Sequence, residues 1–346
     1  MRIRVNKFVY LPVGGALGAG LLVSAFVAPQ PKLAASQDCY SACSSATSLS
    51  LSRSTVVAGR ESDEEFRVTV TGDAFGTAKP TGPGDVETDG KILCRFYLSD
   101  GEGHCSLDDN ELAGGSYEIE AHYNGDDDLG PSNSGRVHLD VTKGSSRTAL
   151  SLSRSTVAAG RESDEEFRVK VTADDPAIGK ATGRVDIETD GKILCHVDLS
   201  DGAGHCALGA HELPGGSYEI EAHYVGDDDL TAASSDRKHL DVTKGSSKAD
   251  LTLSKSTVAA GRESDEEFRV KVTADDPAIG KATGRVDIET DGKVLCRVDL
   301  SDGAGHCSLS DKELKAGSYE IEAHYFGDDD LTTASSHRKH LDVKRS

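Results

Sequence analysis

The chain of 346 residues is 36% hydrophobic and 28% charged, which excludes wholesale disorder and favours two or three globular domains. Its formal net charge of −21 excludes nucleic acid as a partner, because phosphate binding needs clustered Lys and Arg, and it argues against an anionic membrane surface. The acidity favours cations as ligands, with a solvated surface as the simpler explanation.

The first predicted element is an export signal. A positive segment that ends at Lys7 precedes the uncharged and mostly apolar stretch 8–28, and small residues suited to signal peptidase follow. We therefore predict a signal peptide over residues 1–36. An uncleaved anchor is the alternative, because the stretch is about long enough to span a bilayer. Both alternatives place the protein outside the cell, either secreted or retained at the cell surface.

A short cysteine-containing linker is predicted next, over residues 37–46. Its Cys39 and Cys43 stand apart from the other six of the eight cysteines. An even number of cysteines in an exported chain predicts disulfides. We expect a local bridge between Cys39 and Cys43, with a link between two chains as the alternative.

After the linker, one unit occurs three times. The sequence that begins at Arg60 recurs from Arg161 and from Arg262, a step of 101 residues. A period near 100 is typical of a whole domain that buries its own core. The first copy differs most from the others over residues 72–84, and Val-Thr-Lys-Gly-Ser-Ser linkers with some flexibility join the copies. The predicted domains are 47–143, 148–244 and 249–346.

Within each unit, apolar residues recur with period two. Tyr117, Ile119 and Ala121 share one face of a predicted strand, as expected for an antiparallel sheet with one buried side. Asp-Gly pairs between such segments indicate hairpin turns. About seven short strands in a unit of this length predict a two-sheet sandwich. In the first unit they lie near 47–51, 64–71, 84–88, 91–98, 103–107, 116–123 and 136–142.

The acidic run 61–65 is predicted to be an exposed lead-in to the second strand, where its charges discourage edge pairing. Acid–base catalysis by these carboxylates would need a cleft, which small sandwiches rarely offer. The chain has no Gly-x-Ser-x-Gly, His-Glu-x-x-His or Walker pattern. We therefore predict a non-catalytic protein without a small-molecule substrate.

Two cysteines in each unit, eleven residues apart, predict a bridge within the domain. Cys94 and Cys105 flank a Ser-Asp-Gly-Glu-Gly turn, and in a tight hairpin they would lie nearly opposite each other. Zinc binding by His104 and Cys105 is disfavoured, because adjacent strand residues point to opposite faces. The predicted disulfides are Cys94–Cys105, Cys195–Cys206 and Cys296–Cys307.

Tyrosine and histidine residues on the last strands offer further candidates. Tyr117 begins the penultimate strand after a glycine corner, which resembles a tyrosine corner, with a plain core tyrosine as the alternative. His122 and His138 face outward by parity. If they lie in register they could bind a transition metal or respond to pH, although scattered surface histidines are the preferred explanation.

An acidic loop follows the penultimate strand in every unit. Together with aspartates of the loop after the second strand, its carboxylates could hold Ca²⁺, which takes six to eight oxygen ligands. A solvated turn in which Gly and Asp supply the backbone geometry is the alternative. Calcium is the one cofactor that the sequence suggests. The candidate ligands are Asp126, Asp127, Asp128, Asp227, Asp228, Asp229, Asp328, Asp329 and Asp330.

Three segments together resemble the bacterial Ig-like repeat family, which occurs in tandem on secreted and surface proteins. They are Ser54-Thr-Val-Val-Ala-Gly59, the hairpin 91–105 and the stretch 113–126, and they recur in all three copies. The resemblance implies an all-β fold, three tandem immunoglobulin-like antiparallel β-sandwiches after an N-terminal signal segment. The chain has no Trp, and the paired cysteines lie too close in sequence for the inter-sheet bridge of antibody domains, so antibody-like recognition is not implied.

For function, the resemblance implies a secreted or cell-surface array that acts as a structural spacer or an adhesive. The alternative is a binding module for a cell-wall glycan or for an extracellular protein. Glycan binding usually needs exposed aromatic side chains, and Phe96, Tyr97 and Phe326 are the candidates, because they vary among the copies.

Overall fold

The structure, a computed structural model, describes residues 43–72 and 79–345. Within these ranges the chain folds into strands and short 3₁₀ turns, and the same unit occurs three times with an offset of 101 residues. The predicted signal peptide, 1–36, and Cys39 lie outside the described residues. Among the residues described, no helix combines the length and the apolar character needed to cross a membrane.

Nine strands are present among the described residues of each repeat. In repeat 1 strands β1 to β9 are Ser45–Leu51, Thr55–Val57, Glu65–Gly72, Gly82–Thr88, Lys91–Leu98, Glu102–Ser106, Gly115–Tyr123, Ser132–Asn133 and Val137–Thr142. In repeat 2 strands β10 to β18 are Ser146–Leu152, Thr156–Ala158, Glu166–Ala173, Arg184–Thr189, Lys192–Asp198, Ala203–Ala207, Gly216–Tyr224, Ala233–Ser234 and Lys238–Thr243. In repeat 3 strands β19 to β27 are Ser247–Leu253, Thr257–Ala259, Glu267–Ala274, Arg285–Thr290, Lys293–Asp299, Ala304–Ser308, Gly317–Tyr325, Ala334–Ser335 and Lys339–Lys344. The 3₁₀ turns are Glu61–Asp63, Glu162–Asp164, Pro176–Ile178, Glu263–Asp265 and Pro277–Ile279.

Two sheets form each sandwich. In repeat 1 the smaller sheet has the order β1-β3-β6 and the larger one β2-β9-β7-β4-β5, with β8 paired to β7. Strand β2 runs parallel to β9, and the other strand pairs are antiparallel. This topology, present in all three copies, confirms the predicted immunoglobulin-like sandwich. The short strands β2 and β8 were not predicted, because two or three residues are too few to show a period.

The core lies between the inward faces of the two sheets. On β3, Phe66 and Val68 alternate with exposed residues and are at most 1% exposed, and they face Ile119 and Tyr123 from β7. Each buried side chain of this size contributes roughly 1.5–3 kcal/mol to folding. The period-two pattern in the sequence is therefore the pattern of core packing.

Repeat 1 packs one part of this core differently from the others. A Cβ atom on Gly84 would lie 2.2 Å from Cζ of Phe96, so the glycine makes room for the aromatic ring. Repeat 2 has Val185 and Val197 at these two positions. Phe96 is only 2% exposed, so the prediction that it is a surface aromatic was wrong, whereas Tyr97 is 78% exposed.

The acidic run 61–65 is exposed only in part: Ser62 and Asp63 are exposed, but two of its glutamates are not. Glu61 and Glu64 are fully buried, because the 3₁₀ turn directs both carboxylates inward. Glu64 accepts hydrogen bonds from the N–H (2.8 Å) and hydroxyl (3.0 Å) of Ser52 and from the N–H of Arg53 (2.7 Å). Burial raises the pKa of Glu64 despite these donors. The carboxylates are structural acceptors that satisfy backbone N–H groups.

A disulfide joins the two sheets of each repeat. Cys94 lies on β5 at the edge of the larger sheet and Cys105 on β6 at the edge of the smaller one, with Cα atoms 6.0 Å apart. The prediction that β5 and β6 form a tight hairpin was therefore wrong. Between them only Ser99 and Glu102 form a β-bridge, and β6 then joins the other sheet. The other two bridges are Cys195–Cys206 and Cys296–Cys307. Cys43 is also disulfide-bonded.

Candidate functional site

The first aspartate of the acidic loop holds the loop backbone in place through hydrogen bonds to its carboxylate. In repeat 1 the carboxylate of Asp126 accepts hydrogen bonds from the backbone N–H groups of Thr81 (2.8 Å), Asp128 (3.0 Å) and Leu129 (2.8 Å). Burial alone would raise the pKa of Asp126, but these donors outweigh it and lower the pKa to about 2. Asp227 and Asp328 hold their loops in the same way.

The main-chain oxygens of this loop contact the preceding repeat. The carbonyl of Asp228 accepts a hydrogen bond of 3.1 Å from the N–H of Gly114, and the Lys143 ammonium donates to the carbonyl of Asp227. One repeat further on, the N–H of Gly215 donates to the carbonyl of Asp329 at 2.9 Å. The acidic loops of repeats 2 and 3 are therefore docking elements between repeats.

The linker between repeats is tied down, which corrects the prediction that it is flexible. The N–H of Gly144 donates to the carbonyl of Asp229 at 2.8 Å, and the carbonyl of Gly144 accepts from the N–H of Thr231 at 2.9 Å. Gly245 makes the equivalent pair of bonds with Asp330 and Thr332. Since both backbone groups of the central glycine are engaged, the linker has little conformational freedom.

An arginine–aspartate ion pair also connects the two repeats at each junction. Nε and Nη2 of Arg60 donate to the two carboxylate oxygens of Asp175 at 2.8 Å and 3.1 Å. Arg161 and Asp276 repeat the arrangement at 2.6 Å and 3.2 Å. The arginine hydrogen bonds lower the pKa of Asp175 and of Asp276. A two-pronged pair of this kind fixes orientation as well as distance.

Close packing completes the junction. The side chain of Ile178 is 8% exposed and lies so near the linker that a Cβ on Gly144 would be 2.1 Å from its Cδ1 atom. A Cβ on Gly114 would lie 2.6 Å from the Asp228 carbonyl oxygen. Gly245 faces Ile279 in the same way at the second junction. These glycines are needed because the next repeat approaches their backbone.

A tyrosine corner supports the segment that receives the acidic loop. The hydroxyl of Tyr117 donates to the carbonyl of Ala113 at 2.7 Å, directly before Gly114, which confirms the predicted corner. Burial, with a contribution from the carboxylate of Asp229 across the junction, raises the pKa of Tyr117. Tyr218 and Tyr319 make the same bond to Pro214 and Lys315.

Calcium binding by the nine loop aspartates stays a prediction. In each loop the first aspartate receives backbone donors. The aspartates after the second strand that were expected to join them have other partners, since Asp174 pairs with Arg147 and Asp175 with Arg60.

His122 and His138 do not lie in register, so the alternative of a metal site shared by the two is not supported. The register of β7 and β9 places His138 opposite Glu118, whereas His122 lies opposite Asn133 of β8. His138 is held between two carboxylates, with Nδ1 3.1 Å from Glu118 and Nε2 3.1 Å from Asp140. The hydrogen bond to Glu118, followed by the charge of Asp140, raises the pKa of His138.

The junction itself was missed in the sequence, although a signal was present. The junction residues Asp175 and Ile178 lie in the segment where the first copy differs most from the others. Ala74 and Thr77 occupy the equivalent positions in the first copy. A copy with no preceding copy lacks the residues that dock on one, and this difference could have pointed to the interface.

Comparisons with known proteins agree with the fold. Residues 251–344 match the family model of the bacterial Ig-like domain (group 3). A crystal structure of a tetra-tandem repeat in the extending region of a large adhesion protein is similar with a TM-score of 0.52 and 16% identity, over 86% of this chain and 74% of that chain. The crystal structure of invasin, a bacterial integrin-binding protein, matches with a TM-score of 0.38 and 12% identity, over 86% of this chain and 60% of that chain. At 16% identity, the first of these two structures shows the fold alone. No curated protein sequence matches the chain.

Proposed function

We propose, for a chain whose third repeat is a bacterial Ig-like domain, that the protein is a secreted or cell-surface array without catalytic activity that acts as a structural spacer. The observation that carries this proposal is the repetition of one junction at the same residues, 101 positions apart. A spacer must hold its modules in a set arrangement. Two-pronged ion pairs, main-chain hydrogen bonds and a buried isoleucine at each junction serve that purpose.

The similar solved structure supports the same role. That structure comes from the extending region of a large adhesion protein. Its repeats and these share the sandwich fold in tandem, and a repeat that extends an adhesin needs no active site. An adhesive array at the cell surface is therefore the context that we propose for the spacer.

The test of the spacer is whether the three repeats tumble together. Residual dipolar couplings measured on the full chain should yield the same alignment tensor for all three repeats, because the junctions fix their relative orientation. Three different tensors, or relaxation rates typical of separate domains of about 100 residues, would contradict the spacer.

A binding module for a cell-wall glycan or an extracellular protein is the second candidate. It is favoured by the exposed aromatic side chains of Tyr97 (78% exposed) and Phe326 (46% exposed). If this candidate is right, the full chain should sediment with purified cell walls or retain a soluble surface protein. The variants Tyr97→Ala and Phe326→Ala should then lose the glycan-dependent part of that binding.

Calcium would act on this array by stabilising it. If the acidic loops bind Ca²⁺, millimolar calcium should raise the melting temperature of the full chain in scanning calorimetry, because a ligand that binds only the folded state stabilises it. An unchanged melting temperature would remove calcium from the proposal.

A further inference from the structure

Repeat 1 carries a cluster of metal-ligating side chains outside the junctions. Asp85, Glu87 and His122 each bring one ligand atom to within 4.8 Å of the other two. Asp85 and Glu87 are two residues apart on β4 and share the outer face of the larger sheet. His122 lies directly opposite Asp85 on the neighbouring strand β7. The sheet therefore holds all three groups in place.

Two of these groups have few other contacts. Nε2 of His122 is shielded from solvent and has no hydrogen-bond partner among the described residues. It lies 3.3 Å from Oε1 of Glu87. In the same described part of the chain, Asp85 makes no side-chain hydrogen bond and no ion pair, although Arg95 lies across from it on β5. A buried imidazole nitrogen that faces a carboxylate without a hydrogen bond calls for an explanation.

Repeat 2 uses the same aspartate and histidine positions differently. Asp186 is paired with Arg184 at 2.9 Å and with His196 at 2.7 Å. Nδ1 of His223 lies 3.0 Å from the hydroxyl of Ser234. The carboxylate and the imidazole are thus each engaged by a neighbour.

Repeat 3 follows repeat 2. Asp287 is paired with Arg285 at 3.0 Å, and Nδ1 of His324 lies 3.0 Å from the hydroxyl of Ser335. Repeat 1 has Pro83 in place of this arginine and Asn133 in place of this serine. This arginine and this serine are absent from repeat 1 alone, whereas Arg95 stands where repeats 2 and 3 have His196 and Arg297. Of the three equivalent positions, only those of repeat 1 form the cluster among the described residues.

We propose that Asp85, Glu87 and His122 bind one divalent transition-metal ion, with Zn²⁺ as the probe. Zinc takes imidazole nitrogen and carboxylate oxygen at about 2.0–2.2 Å, so two tetrahedral ligands lie about 3.4 Å apart. The 3.3 Å between His122 and Glu87 already matches that separation. The half-buried side chain of Asp85 already brings a carboxylate oxygen to within 4.8 Å of the other two ligand atoms, and water would fill the open position. The imidazole makes the site unlike a calcium site, which is built from oxygen.

The test is a calorimetric zinc titration of the secreted full chain without an affinity tag, at pH 7.5. The wild-type chain should bind one equivalent tightly. His122→Ala and Asp85→Asn should each weaken binding by more than about tenfold, since even a residue behind the ligands changes metal affinity about 10- to 100-fold. His223→Ala, at the same position in repeat 2, is the matched control and should bind like the wild type.

Two further measurements make the result decisive. The ¹⁵N resonance of His122 Nε2 should shift on zinc addition, and the melting temperature of each variant without zinc should show that it is folded. Three equivalents per chain, equal weakening by His223→Ala, or unchanged binding in folded His122→Ala would each overturn the proposal.

Discussion

At the scale of single residues, the histidines of the last strand are the clearest chemical feature. His138, His239 and His340 each lie between a glutamate and an aspartate, with nitrogen to oxygen distances of 2.9–3.1 Å. In all three the hydrogen bond to the glutamate is the largest cause that raises the histidine pKa. Each histidine therefore carries its proton to higher pH than a free imidazole.

These raised pKa values predict a dependence of stability on pH. The folded state holds the proton more tightly than the unfolded chain, so the stabilisation is fully present below pH 6.5 and is lost as the pH rises through the folded pKa. An NMR titration of the ring resonances should give a pKa above 6.5 for all three histidines. In Glu219→Gln the pKa of His239 should fall while that of His340 stays unchanged, and equal values before and after the substitution would contradict the assignment.

The buried glutamates predict a large loss of stability on truncation. Glu165 is fully buried and accepts hydrogen bonds from the N–H and hydroxyl of Ser153 and from the N–H of Arg154. Glu165→Ala leaves these donors unsatisfied and should cost about 3 kcal/mol, measured by urea unfolding. Asp164→Ala, one position earlier and exposed, should change the free energy of unfolding by less than about 0.5 kcal/mol.

Single-residue features were predicted correctly where a sequence motif fixes the local backbone geometry. They were predicted wrongly where only the polarity of the side chain was used to judge its burial. The glycine corner before Tyr117 located a hydrogen bond that the structure contains. The run that contains Glu64 appeared exposed because carboxylates are rarely buried. Only the fold shows that a 3₁₀ turn brings it to the backbone donors at Ser52 and Arg53.

At the scale of strands, β4 and β5 of repeat 1 combine one smaller and one larger side chain at two facing core positions where repeat 2 has two of equal size. Gly84 and Phe96 stand where repeat 2 has Val185 and Val197. Gly84→Val should destabilise repeat 1 by about 2 kcal/mol or more, because the new side chain collides with the ring of Phe96.

The double variant tests the pairing directly. Gly84→Val with Phe96→Val removes the collision with the ring but leaves the new Cβ 2.4 Å from the carbonyl oxygen of His122, so only part of the lost stability should return in thermal unfolding. The single variant Phe96→Val leaves a cavity and serves as the control. If the two effects simply add, the two positions do not share one packing space.

The corner between β5 and β6 shows why strand prediction was easier than strand pairing. The Asp-Gly turn at Asp100 was evident, and both residues have positive φ, 57° for Asp100 and 87° for Gly101. A local pattern shows that the chain turns but does not show which sheet the next strand joins. The pairing of β6 with β3, at residues such as Phe66 and Cys105, is non-local and was not visible in the sequence.

At the scale of the whole molecule, the junctions decide how one repeat is held against the next. Gly215→Val places a side chain against the Asp329 carbonyl oxygen, which would lie only 2.8 Å from the new Cβ atom, and should separate repeats 2 and 3. Their shared alignment tensor should then split in two. The matched control is Ala316→Val, at the same position in repeat 3, where the side chain is exposed and the tensors should remain equal.

Repeats 1 and 3 differ from repeat 2 at the docking positions. Ala316 replaces the glycine that receives an acidic loop in repeats 1 and 2, and Ala74 replaces the aspartate that pairs with Arg60 or Arg161. Repeat 2 alone has the full set of docking residues on both of its ends. The three copies are therefore not interchangeable in order.

Each junction takes its arginine from one copy and its aspartate from the next, and this arrangement affects how such a gene can gain repeats. Arg161 and Asp175 belong to the same copy but serve different junctions, one towards the following copy and one towards the preceding copy. Inserting a duplicate of that central stretch, in units of 101 codons, would supply both halves of every new contact at once. Unequal crossing-over could then change the number of modules without any compensating point mutation.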